Sequence, residues 1–234
     1  MDFKFNFETY LFLSSKKIAI SVFDKQDFKN LYYKEIINIY NEEDFEFKTI
    51  DNFLEKNIFE IEKKFKNFVE YINLILKSDE FLTIQVSLKK NNYGKKVSKD
   101  DLIYLLNEAK DDCKESINEK NIIHMLIDNY FLDKECYTKF PIDQKCNVFS
   151  LDIRFICLSK NYIKDMEKNL RKYQISIKKI LQADYISHFQ SENQNDLFRT
   201  AIQIVGGYNK NEVFLVPKES KNKGFFERFF NYFS

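Results

Sequence analysis

The sequence predicts a mixed α/β fold of the α+β kind, and three observations carry that prediction. Short apolar runs rich in β-branched and aromatic residues open the chain. A long apolar repeat at helical spacing succeeds them, and strand-like and helix-like stretches then alternate as far as Val205. Of the 234 residues, 44% are hydrophobic and 31% charged, which suits a soluble chain able to enclose a core. The 37 basic and 36 acidic side chains leave a formal charge of +1, so no nucleic-acid partner is expected. Only Gly94, Gly206, Gly207 and Gly224 occur, against about 7% glycine in an average protein. A phosphate-cradling loop needs several glycines for close backbone approach. No P-loop or dinucleotide fingerprint is present, and most nucleotide-driven machines are excluded.

Thr9 to Leu13 and Ile18 to Phe23 read as two strands joined by a tight turn at Ser14-Ser15-Lys16, and Leu31 to Tyr40 reads as a third. Asp51 then suits an N-cap, and Leu54, Ile58, Ile61, Phe65, Phe68, Ile72 and Ile75 repeat at steps of four and three, as one helix face lying on a sheet or as a coiled coil. Leu82, Ile84, Val86 and Leu88 alternate with polar residues as a half-buried strand, and Asn91 to Gly94 turns the chain. Ser98 and Asp101 make a capping box for a helix with Leu102, Leu105, Leu106 and Ala109 inside. Strands are expected over 121–132 and 148–158, with a loop or bulged edge around Pro141 between them. In the second of these strands Leu151, Ile153, Phe155 and Cys157 face one way. A helix over 161–173, a strand over 175–181, a helical turn over 183–189 and a short helix over 197–205 complete the body, and residues 208–223 read as a Lys-bearing linker.

The most informative segment is 224–234, Gly-Phe-Phe-Glu-Arg-Phe-Phe-Asn-Tyr-Phe-Ser. Wound as a helix, Phe225, Phe226, Phe229, Phe230, Tyr232 and Phe233 fall within an arc of about 160°. Lys221, Lys223 and Arg228 add attraction to anionic headgroups, so these nine residues are the expected membrane-binding set. Half-burying six rings while ordering the peptide leaves about 5–6 kcal/mol, close to one lipid chain and therefore reversible for a single copy. Docking of the same face on the protein's own body, or in a partner's groove, is the alternative.

Taken together, the order of elements and several local stretches resemble the bacterial cell-division actin homologue FtsA. Val97 to Leu102 looks like the opening of the helix that begins the family's inserted subdomain, called 1C. Ile122 to Ile127 resembles the subdomain's next strand. Val148 to Leu158, Asn161 to Tyr173 and Ile175 to Tyr185 resemble its later strand, its second helix and the return into the actin-like body. Ala201 to Tyr208 with the tail at Gly224-Phe225-Phe226 resembles the last body helix and the membrane-targeting segment. The resemblance implies a reduced actin-like (1A-like) subdomain from 1–82 plus 184–207, an inserted 1C-like subdomain over 83–183, a linker over 208–223 and an amphipathic helix over 224–234. It implies a non-catalytic membrane adaptor of the division machinery, placed on the cytoplasmic face of the inner membrane at the division site. Division proteins would be bound through the 1C-like part, and self-association is open. Two departures stand out. Leu11 and Leu13 occupy the places of the acid and glycine of the family's first phosphate loop, so no nucleotide cofactor is expected. The second half of the family pattern, which carries the FtsZ-binding surface, has no counterpart in this sequence, which removes the ground for direct FtsZ contact. The alternative settings are an actin-like tether of a type IV pilus or secretion platform, and a residual ATP-binding protein.

No catalytic residue, cofactor or metal ligand is assigned. His124 and His188 have no acid or thiol beside them at a relay or ligand spacing. Asp111, Asp112 and Glu115 read as a solvated helix face. Cys113, Cys136, Cys146 and Cys157 form no C-x-x-C pair and read as reduced thiols of a cytoplasmic protein. No apolar run of about eighteen residues suggests a transmembrane span.

Overall fold

The computed structural model describes residues 6–37, 47–190 and 196–214. Strands β1 (Phe7–Ser14), β2 (Lys17–Asp24) and β3 (Asn30–Ile37) form an antiparallel meander, followed by helix α1 (Phe47–Phe65) and strand β4 (Tyr71–Lys77). Strand β5 (Phe81–Asn91), helix α2 (Lys99–Ser116) and strands β6 (Lys120–Leu132), β7 (Glu135–Tyr137) and β8 (Val148–Ser159) build a second unit. The chain then returns through α3 (Lys160–Arg171), β9 (Ser176–Gln182), α4 (Ala183–Ser187) and α5 (Leu197–Val205). The first sheet has the order β3-β2-β1-β4-β9, with β1, β4 and β9 parallel, and the second has the order β5-β8-β6-β7, all antiparallel. A three-stranded meander extended by parallel strands, with a subdomain inserted after β4, matches the mixed α/β expectation.

Strand alternation explains the layers. On β1, Leu11 and Leu13 point to one face and Tyr10 and Phe12 to the other, so the first sheet is apolar on both sides and must be covered twice. One face takes α1 through Phe53, Leu54, Ile58 and Ile61, and α3 through Ile163, Met166 and Leu170. The opposite face takes α4 and α5 through Tyr185, Ile186, Phe198 and Ala201. The second sheet is covered on one face by α2, whose Leu105, Leu106 and Ala109 meet Leu151, Ile153 and Phe155. The capping box expected at Ser98 is present: the Asp101 amide donates to the Ser98 hydroxyl, and the Ser98 amide donates to the Asp101 carboxylate at 2.9 Å.

Several expectations are corrected. The helix containing Asp51 begins at Phe47, so Asp51 lies inside it rather than at the N-cap, where its carboxylate meets Lys172. The apolar repeat does not stay helical past Phe65. Lys66 adopts a left-handed φ of 50°, Phe68 is 75% exposed, and Ile72 and Ile75 lie on opposite faces of β4. Heptad spacing continues by coincidence into a strand buried on both faces, whose Ile72, Leu74, Ile75 and Leu76 fit either period. The third strand is described over Asn30–Ile37, and the rest of its expected span, to Tyr40, lies outside the described residues. Sheet membership also differs from the division at residues 83 and 183: β9 pairs with β4, and α3 packs in the core of the first sheet, so the inserted unit ends near Ser159. Within the stretch read as linker, Asn211 and Val213 bond to β6 of the second sheet.

Candidate interaction site at the junction of the two sheets

After α5, Gly206 and Gly207 end the helix and turn the chain. Gly207 has a φ of +83°, a conformation that L side chains rarely adopt, which accounts for a glycine there. The next segment lies antiparallel along β6. The Ile127 amide donates to the Asn211 carbonyl at 2.9 Å and the Val213 amide to the Met125 carbonyl at 2.8 Å. Between these two bonds the Glu212 side chain enters the protein, where His124 of β6 and Tyr185 of α4 meet it.

His124, on β6, is 2% exposed. Its Nε2 accepts a hydrogen bond from the Gln182 amide at 3.1 Å, so the proton resides on Nδ1, which donates to Glu212 Oε1 at 2.7 Å. Tyr185, on α4, donates its hydroxyl to Glu212 Oε2 at 2.7 Å and accepts from Asn209 Nδ2 at 2.9 Å. Burial pushes the Tyr185 phenol well above its ordinary range, and the Glu212 charge adds to the shift. Each polar group is therefore matched, as a low-dielectric site requires. Both nitrogens of His124 are engaged, which makes it a clamp between the inserted sheet, the main sheet and the segment after α5. The sequence placed no acid near His124 because its partner stands 88 positions away. A lone acid in a polar stretch gives no local signal.

Beside this clamp lies a cleft of about 1360 Å³ between β6, β9 and the ends of α2 and α3. Ile122, Ile123, Ile177 and Ile180 form a half-buried apolar floor, and Phe214 closes one wall. Lys179 reaches over the Phe214 ring at 4.6 Å from its centroid, and burial holds the ammonium below the usual lysine range.

The stretch standing where the family's first phosphate loop would be is a two-residue hairpin turn. The Ser14 hydroxyl accepts from the Lys17 amide at 2.9 Å and donates to the Lys17 carbonyl at 3.1 Å, while Leu11 and Leu13 are buried in the main core. Asp111, Asp112 and Glu115 are exposed on α2. Burial pushes the Cys157 thiol up to about 12, and Cys113 contacts it and is also raised by burial, so both sulfurs behave as small core hydrophobes. Phe225, Phe226, Phe229, Phe230, Tyr232, Phe233, Lys221, Lys223 and Arg228 lie outside the described residues. No helix among the described residues is long and apolar enough to cross a membrane.

No protein-family model matches the chain, and no curated protein matches it. Among solved structures it is similar to the cytoplasmic domain of EpsL, an inner membrane component of the type II secretion system of Vibrio cholerae. That likeness has 11% identity and a TM-score of 0.39, over 80% of this chain and 59% of that one. It is also similar to a PilM–PilN type IV pilus biogenesis complex, at 7% identity and a TM-score of 0.44, over 78% of this chain and 49% of that one. A third likeness is to a protein from Bacteroides thetaiotaomicron with an actin-like ATPase fold and unknown function, at 12% identity and a TM-score of 0.36, over 81% of this chain and 58% of that one. The chain spans about half to three-fifths of the length of these structures. FtsA is not among these three.

Proposed function

We propose that this chain is an adaptor without chemistry of its own, which holds a membrane through residues 224–234 and a protein assembly through its folded body. The observation that supports this reading is the docking of residues 209–213 at the sheet junction. Glu212 is gripped by His124 and Tyr185, so the segment leading to the aromatic tail starts from a rigid point on the body. A buried carboxylate with both oxygens bonded fixes the point from which that segment leaves the body. One tail at about 5–6 kcal/mol binds reversibly, so stable attachment calls for several copies side by side.

Of the two settings read from the sequence, the tether of a type IV pilus or secretion platform is the one proposed. Two of the solved structures that the chain is similar to are named for that setting, while the aromatic tail is more expected of the division reading. The test is sedimentation with anionic vesicles over a salt series, comparing the full chain with a Phe229→Asp/Phe230→Asp variant. Binding that weakens but survives high salt, and is lost at least tenfold in the variant, supports the anchor; equal binding by both overturns it. A fluorescent fusion that gathers at midcell would overturn the platform setting in favour of division.

A further inference from the structure

The cleft and the segment that leaves it support a step beyond membrane attachment. Its floor is apolar, and among the described residues β9 is the outer strand of its sheet, so its far edge faces the cleft as an unextended strand edge. Lysines stand around it, among them Lys114, Lys120 and Lys179. The volume exceeds the roughly 300–1,000 Å³ that a small molecule takes, and suits a peptide carrying several side chains. Lys179 over Phe214 already shows how the cleft holds an aromatic ring, with an ammonium on its face.

The last described residue, Phe214, stands in the wall of this cleft, and the six-ring cluster begins eleven residues later in the sequence. Ten intervening residues extend to about 33–36 Å at most, so the cluster is confined near the cleft at an effective concentration of about millimolar. We propose that residues 224–234 bind back into this cleft, their rings on the isoleucine floor and under the lysines, and that a lipid surface competes with the cleft for the same aromatic face. The protein would then expose its anchor only where membrane is present to take it. This inference rests on the lipid-binding reading of the tail.

The test uses the full chain with a photoreactive benzoyl group on the ring at position 226 or 230. Crosslinks to residues 120–123 and 177–181, falling at least fivefold on addition of anionic vesicles, are expected. Crosslinks elsewhere overturn the proposal, as do crosslinks between chains in a mixture of isotopically heavy and light protein. Closing the cleft supplies an independent reading. Ile180→Asp on β9, and separately Ile123→Ser on β6, should each raise vesicle affinity about three- to tenfold, because apparent affinity scales with the fraction of tail that is free. Unchanged affinity in both variants, each with native circular dichroism, overturns the competition. Crosslinks in the cleft without vesicle binding by any variant would instead refute the lipid reading of the tail and leave the docking.

Discussion

Two buried polar residues show how a single side chain sets stability here. The Thr9 hydroxyl is enclosed on β1 with no hydrogen-bond partner among the described residues, whereas Glu212 accepts from both His124 and Tyr185. Leaving a buried group unmatched costs more than a matched one contributes, so the two positions respond to truncation with opposite sign. Thr9→Val keeps the shape, removes the orphan and should raise unfolding free energy by about 0.5–1 kcal/mol in urea denaturation. Glu212→Ala strips an acceptor from an imidazole N–H and a phenol and should lower it by about 2–4 kcal/mol in the same assay. Neither effect is legible in the sequence. Thr9 lies in an ordinary apolar strand, and Glu212 reads as linker until the fold brings β6, α4 and the segment after α5 to one point.

At the scale of elements, α2 is the part the sequence describes best, because its N-terminus is chemically local. The Ser98–Asp101 box, the apolar positions and the start at Lys99 all derive from neighbours within a few residues. Burial raises the Asp101 pKa, but hydrogen bonds from Lys90 and Ser98 outweigh it and leave the carboxyl below its ordinary value. A carboxyl depressed in the folded state adds stability above its unfolded pKa of about 3.9, and that contribution fades as pH falls through the folded value. Asp101→Asn should therefore flatten the acid limb of the stability curve below about pH 4 and cost about 0.5–2 kcal/mol at pH 7 as the cap weakens. A pH series of urea melts reads both. The run from Leu54 to Ile75 is the opposite case. Its period is helical throughout, yet the chain breaks at Lys66 and continues as β4, because a strand covered on both faces carries no alternation to announce it. α5 is legible to the residue, from Leu197 to Val205, since a polar run and a double glycine bound it, and the structure adds Asp196 as its cap.

For the molecule as a whole, the inserted sheet and the main sheet share their cores. Leu126 of β6 and Ile156 of β8 sit in the cluster under α4 and α5, and Leu158 of β8 lies in the cluster under α1 and α3. This joint is packed rather than hinged, so the two sheets should unfold together. Ile156→Ala is expected to lower stability by about 2–4 kcal/mol while keeping a single transition by both far-ultraviolet circular dichroism and tyrosine fluorescence; two separated transitions would show the sheets to be independent units. Composition indicates the general class, and the order of helices and strands indicates the insertion. The reach of the insert is not legible, because β9 and α3 look, residue by residue, like any amphipathic pair, and only the pairing of β9 with β4 and the packing of α3 on the main core assign them to the first sheet.

The short run from Asn211 to Val213 along β6 has a mechanical consequence. If a bilayer drags on the C-terminal segment, traction enters the body through two backbone hydrogen bonds and one gripped carboxylate, on the strand whose side chains reach both cores. Pulling there strains the seam between the sheets before it strains any outer surface, so an assembly that tugs on this protein would act on its midline rather than on its periphery.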